Sequence, residues 1–164
     1  MTKSTVVKMT GYFEYARLFP ENMDTGEMHE ATQGQFNVNF YPESQAEIEK
    51  YYAAGAPKAT MGYDTFREGN PDLGIGVFTK LKRPNVHRKF TDWKGAPTIF
   101  DFRDGESTKQ WSFEEDGELG NGTKVMVKVG VYDSGPKAIK TLHSVAVLEL
   151  VPYERPENDG VERF

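Results

Sequence analysis

From Lys124 to Tyr132 the chain alternates without a break. Val125, Val127, Val129 and Val131 share one parity, and Lys124, Met126, Lys128, Gly130 and Tyr132 share the other. Side chains of a strand point alternately to its two faces, so this is a strand with a purely β-branched side that demands a core. Its other side carries two lysines and a terminal ring, with a glycine leaving flat, open surface. Cations track phosphates and rings stack on bases, so such a face suits a single nucleic-acid strand. It equally suits the solvated side of a half-buried strand.

The rest of the chain supplies partners for that strand. Residues Thr5 to Phe19 read as a long first strand bent at Gly11, since glycine within a strand pattern marks a bulge or a tight barrel corner. Pro20 to Thr32 is polar and loop-like. In Gln35 to Tyr41, Phe36, Val38 and Phe40 share one face against Asn37, Asn39 and Tyr41. Ser44 stands three residues before Glu47, a capping-box spacing that predicts a helix through AEIEKYYAA, ending near Gly55 and Pro57. Ile48, Tyr51 and Tyr52 form its buried stripe. Ala59 to Leu73 reads as loop. Gly74 to Arg83 reads as a strand with Ile75, Val77 and Leu81 inward and Phe78, Lys80 and Lys82 outward. Pro97 to Arg103 is another strand, and Trp111 to Phe113 returns after a turn at Asp104-Gly105. A turn at Asp133 to Pro136 leads to a last strand from Ile139 to Val151.

Strands joined mostly by turns, with one helix and long loops, predict a mainly β chain. A closed barrel leaves no exposed edges. A bent first strand and about five main strands suit the partly open Greek-key barrel of the oligonucleotide-binding type (OB fold), with a β-sandwich as the alternative. The expected organisation is one barrel domain over 1–153 and a short acidic tail over 154–164.

Charge decides where a polyanion could sit. The net charge of −5 argues against a nucleic-acid binder, but the distribution is uneven. Lys80, Lys82, Arg83, Arg88, Lys89 and Lys94 cluster with only Asp92 opposing them. Asp104, Glu106, Glu114, Glu115, Asp116 and Glu118 then face Lys109 alone. A basic face on an otherwise acidic protein can attract a polyanion to one side and repel it elsewhere. Aromatics make up 13% of the chain, so rings must either pack the core or line a site. With no cysteine, disulfides and thiolate metal sites are excluded. The first residues hold no apolar run long enough for a signal peptide or a membrane span, so the expectation is a soluble cytoplasmic protein, in the host cytoplasm if viral.

Phe78-x-Lys80-x-Lys82-Arg83 is the strongest functional segment after the valine strand, and Arg88, Lys89, Trp93 and Lys94 follow it. Lys124 and Lys128 repeat the theme on what is expected to be a neighbouring strand, the two turning their cationic, ring-bearing sides toward one groove, and Tyr12 shares its parity with Lys8. Trp93 sits among charges and suits stacking, whereas Trp111 suits packing. Alternatively, Phe78 packs under the helix and the charges merely solvate an edge strand, which lysines commonly guard. Catalytic readings are poorly supported. His29, His87 and His143 lack metal-ligand spacing, no nucleophile elbow or phosphate loop occurs, and Gly74-Ile-Gly76 precedes a strand rather than a helix. A metal-dependent nuclease using Asp101 and Asp104 is the remote alternative. A structural or protein-interaction β-domain is the nearer one.

The run GNGTKVMVKVGVY, a turn, then TLHSVAVLELVPY resembles the C-terminal strands of single-stranded DNA-binding proteins of short-tailed bacteriophages. FNVNFYP followed by a helix, and TIFDFRDG ahead of an acidic loop, are also similar. The likeness spans about residues 34 to 153 and is weakest in the N-terminal third. It implies a non-enzymatic OB barrel that coats single-stranded DNA in phage replication, recombination and repair, with no cofactor and no metal. It assigns stacking to Tyr132 and DNA contact to Phe78, Lys80 and Lys82. It also implies an acidic tail that contacts replication proteins, which Glu157, Asp159, Glu162 and Phe164 match and Arg155 and Arg163 do not. Homodimerisation is left open.

Overall fold

The structure, a computed structural model, describes residues 3–20, 23–26, 34–53, 66–85, 95–105, 109–133 and 138–152. In chain order its elements are β1 (Lys3–Arg17), β2 (Gln35–Pro42), α1 (Gln45–Ala53), β3 (Arg67–Glu68), β4 (Val77–Pro84), β5 (Thr98–Asp101), α2 (Phe113–Asp116), β6 (Lys124–Asp133) and β7 (Ala138–Glu149). The strands form one sheet in the order β3-β4-β2-β1-β6-β7-β5, so the chain is mainly β and OB-like, as its alternation requires.

β1 is long because it serves two neighbours. Its first part, Lys3 to Tyr12, pairs antiparallel with β6, and its second part, Gly11 to Arg17, pairs with β2. The handover falls at Gly11, where the sequence places the bend. A Cβ there would run into the Tyr41 carbonyl oxygen and reach Pro42 Cα at 2.9 Å, so only glycine allows β2 this close. The bulge itself comes later. The pairing shifts between Glu14 and Arg17, and Tyr15 adopts φ 54°.

The sheet curls until its far ends approach. β7 takes up β5 in parallel, with Thr98 opposite Ser144. Just before that point the Arg83 guanidinium, from the end of β4, donates to the Leu142 carbonyl at 3.3 Å and to the Gly95 carbonyl at 2.9 Å. One arginine thus bridges the gap where β4 and β7 run side by side without a ladder. The interior is sealed by Val125, Val127, Val129 and Val131 from β6, Phe36, Val38 and Phe40 from β2, and Phe13 from β1. Phe13 and Phe40 meet edge to face at 6.3 Å.

Several local expectations change. Glu47 does not close a capping box on Ser44. Its carboxylate accepts the Thr10 N–H at 2.7 Å and pairs with Lys50, so it fastens α1 to the bend of β1. Ile75 is not inward. It lies 43% exposed in a turn ahead of β4, where Gly74 and Gly76 both have positive φ. The loop before β4 contains the two-residue β3. The return after β5 is real but brief. Trp111 N–H donates to the Ile99 carbonyl, and the chain then turns into α2, capped by Ser112. Among the described residues no helix is long and apolar enough to cross a membrane. The tail residues Glu157, Asp159, Glu162 and Phe164 lie outside the described residues.

Candidate nucleic-acid interface

Alternation along β4 sends Phe78, Lys80 and Lys82 to the outer surface, and register with β2 and β1 builds rows across it. Lys82 stands opposite Asn37, which stands opposite Arg17. Lys80 stands opposite Asn39, which stands opposite Glu14. Lys80, Lys82 and Arg17 are exposed, and no ion pair among the described residues engages them. Glu14 would oppose an anion, but it is withdrawn. It is 9% exposed, and its two carboxylate oxygens accept from the Tyr41 hydroxyl at 2.8 Å and the Asn70 side chain at 3.3 Å. Tyr41 in turn accepts the Asn70 N–H at 3.0 Å. Burial, opposed in part by that bond, raises the Tyr41 hydroxyl above its ordinary pKa, which keeps it a donor to Glu14.

Phe78 is a poorer platform than the sequence suggests. Its ring lies 5.4 Å from the Tyr41 ring, and the Arg67 guanidinium stands 5.3 Å from its centroid. Its partners already form a stack on the sheet surface. Arg83 departs from expectation more plainly. Opposite Phe36 it falls on the inward parity of β4, away from the lysines, and its guanidinium closes the barrel as described above.

The expected meeting of the two basic strands also fails. β4 and β6 are not neighbours, because β2 and β1 lie between them. The β6 residues belong to a second surface on which Lys128 faces Lys8 and Lys124 faces Tyr12. Lys124 Nζ lies 3.9 Å from a Glu43 carboxylate oxygen. Tyr12, half-buried at the Gly11 bend, also pairs with Tyr41 and so joins the two surfaces. Tyr132 stands in register with Ser4 and Ile139, and its side chain is outside the described atoms. Arg88, Lys89, Trp93 and Lys94 are outside the described residues altogether. Asp101, the remote nuclease candidate, is held to a pKa of about 2 chiefly by its hydrogen bonds from Arg103, which also bridges to Asp116 and covers Trp111. No group of three or more metal-ligating side chains occurs among the described residues.

Sequence reasoning missed Tyr15. It is 67% exposed at the β1 bulge, immediately after Glu14 and two residues before Arg17, in a left-handed conformation unusual for a tyrosine. Its N–H donates to the Asn121 side-chain oxygen at 2.8 Å. Asn121 sits in the turn ahead of β6, whose Gly122 N–H donates to the Phe13 carbonyl at 2.7 Å. Gly122 has φ 93°, which requires glycine. The glycine turn seen in the sequence therefore sets the β1 bulge as well as starting β6.

In a comparison with solved structures, the fold is similar to the single-stranded DNA-binding protein from bacteriophage Enc34, with a TM-score of 0.56 and 14% identity over 96% of this chain and 88% of that one. The same phage protein in complex with ssDNA matches with a TM-score of 0.56 and 13% identity over 93% and 89% of the two chains. Its C-terminal truncation matches with a TM-score of 0.54 and 11% identity over 91% and 88%. At such identities the likeness is one of fold. No protein-family model matches the chain, and no curated protein does.

Proposed function

We propose that this protein binds single-stranded DNA without catalysis, and that the outer face of β4, β2 and β1 carries the contact. The observation that carries this is the row of exposed cations, Lys80, Lys82 and Arg17, beside the exposed Tyr15 on a barrel whose similar structures include a phage protein solved with ssDNA. Cations neutralise phosphates, and the half-buried Asn39 opposite Lys80 supplies a hydrogen-bonding side chain without charge, whereas Asn37 is buried and donates to Gln35. A ring presented at the margin takes a base with little sequence preference. Arg88, Lys89, Trp93 and Lys94 follow β4 in the sequence and are assigned to DNA contact on their chemistry alone. Lys124, Lys128, Tyr12 and Tyr132 supply a second run of contacts on β6 and β1. The biological role that fits is coating of strands exposed in phage DNA replication, recombination and repair, in the host cytoplasm. Recruitment of replication proteins through Glu157, Asp159, Glu162 and Phe164 belongs to the same reading.

The test is binding of single-stranded DNA, RNA and duplex in parallel as salt is raised. Expected is a steep loss of affinity with salt, no need for a divalent metal, and an intact strand afterwards. Cleavage in magnesium would replace this reading with a nuclease, and no binding at low salt would replace it with a structural domain.

A further inference from the structure

A groove of about 310 Å³ lies across β1, β6, β7 and β5. That volume is at the lower end of small-ligand pockets, roughly 300–1,000 Å³. Register explains its shape. One row across the sheet runs Lys8, Lys128, Ser144, Thr98, and the next runs Thr10, Met126, Ala146, Phe100. Ser144 and Ala146 are small and leave the floor low. Lys8 and Lys128 stand at one end, and Phe100 and Phe102 form the opposite wall, edge to face at 6.5 Å.

Two features point to an anionic occupant with a flat ring. Lys8 and Lys128 are both exposed and directly opposite one another, an arrangement that like charges oppose. No ion pair among the described residues relieves them. The β7 bulge beside them carries His143, whose pKa is lowered by partial burial and by the Arg83 and Lys128 charges. The groove is thus cationic at one end and apolar and aromatic at the other. Phe100 lies one row and two strands from Lys128, about 12 Å between backbones at 6.6–6.8 Å per row and 4.7–4.9 Å per strand, a span that a lysine side chain and one nucleotide bridge together.

We propose that this groove holds one nucleotide of single-stranded nucleic acid, its phosphate between Lys8 and Lys128 and its base against Phe100. The site is separate from the Lys80–Lys82 row and rests on the reading that the protein binds single strands. A strand held at both would pass around the barrel by way of Tyr12.

The experiment is an amide-resolved NMR titration of the isotope-labelled full chain with short oligothymidylate at low salt. Expected are saturable shifts at Lys128, Ala146 and Phe100, together with shifts at Asn37 and Lys82. In the double variant Lys8→Ser/Lys128→Ser the groove shifts are lost while those at Asn37 and Lys82 persist. The dependence of log affinity on log salt for a long oligothymidylate becomes shallower by about 0.7, the share of one phosphate. Phe100→Leu keeps apolar bulk and charge, and should weaken binding about ten-fold without changing that slope. Shifts confined to the β4–β2 face would overturn this inference and leave single-strand binding standing. No shifts anywhere would overturn both. Groove shifts produced by a polyglutamate peptide and not by the oligonucleotide would reassign the groove to an acidic protein partner and overturn the inference too.

Discussion

The backbone N–H of Tyr15 is held by the side-chain oxygen of Asn121, at 2.8 Å, across 106 residues of chain. The bond pins a tyrosine in a left-handed conformation at the edge of the cationic face, with its ring in solvent. A residue held in a sparsely populated backbone region points towards function when its side chain is free to act. Two substitutions separate strain from binding. Tyr15→Gly relieves the backbone and should hold or raise stability, by up to about 1 kcal/mol. It should weaken single-stranded DNA binding about ten-fold through loss of one stacked ring. Thermal melts and fluorescence anisotropy read the two effects. Unchanged affinity would remove Tyr15 from the interface.

Lys80 and Lys82 alternate with the buried Thr79 and Leu81 on β4, and neither contributes an ion pair among the described residues. The double variant Lys80→Ala/Lys82→Ala should therefore melt within about 0.5 kcal/mol of the parent, as surface substitutions do. Each phosphate contact contributes about 0.7 to the salt slope on a single strand, so the slope should fall by about 1.4. A slope that does not move would mean that these lysines only solvate the sheet.

The barrel was legible in the sequence because its signals are local. The valine strand, the Phe36-Val38-Phe40 strand and Gly11 each declare a face or a bend within a few residues. The site was less legible because it depends on register between distant segments. Nothing around Phe78 announces that Tyr41 and Arg67 will take its ring, and nothing around Arg83 announces the Leu142 carbonyl. Treating the Lys80 and Lys128 strands as adjacent required the order of strands, which periodicity does not contain; β2 and β1 separate them. Tyr15 was missed for a related reason. Its left-handed conformation is imposed by Asn121 from the turn before β6, and tyrosine carries no intrinsic preference for it. The Ser44–Glu47 spacing led to the right helix for the wrong reason, since the Glu47 carboxylate was recruited by the unpaired N–H at the β1 bend.

His143 reports on the second groove. It sits at the β6–β7 bulge, near Arg83 from β4 and Lys128 from β6, and partial burial with those charges lowers its pKa below the ordinary value. The folded protein therefore binds this proton less readily than the unfolded chain. The stability His143 contributes is present above the ordinary histidine pKa and is lost as pH falls through the lowered one. A phosphate between Lys8 and Lys128 reverses the local field. Expected in an NMR pH titration is a His143 midpoint below that of a free histidine, moving upward when oligothymidylate is added. A midpoint indifferent to the oligonucleotide would place the bound strand away from this bulge.

Arg83 offers the sharpest separation of architecture from binding. Its guanidinium donates in two directions, to the Gly95 and Leu142 carbonyls, where β4 and β7 approach without a ladder. A lysine keeps the charge but cannot reproduce the planar fork. Arg83→Lys should cost about 1–3 kcal/mol, because a carbonyl loses its donor at the barrel seam. The loss should appear in urea melts and as faster amide exchange in β5 and the adjoining part of β7. The salt slope for single-stranded DNA should stay as in the parent, since the cation count is unchanged. Lys82→Ala should show the opposite pattern, with an altered slope and unaltered exchange. Were Arg83→Lys to keep full stability and lose affinity, the arginine would belong to the DNA surface and not to the barrel seam.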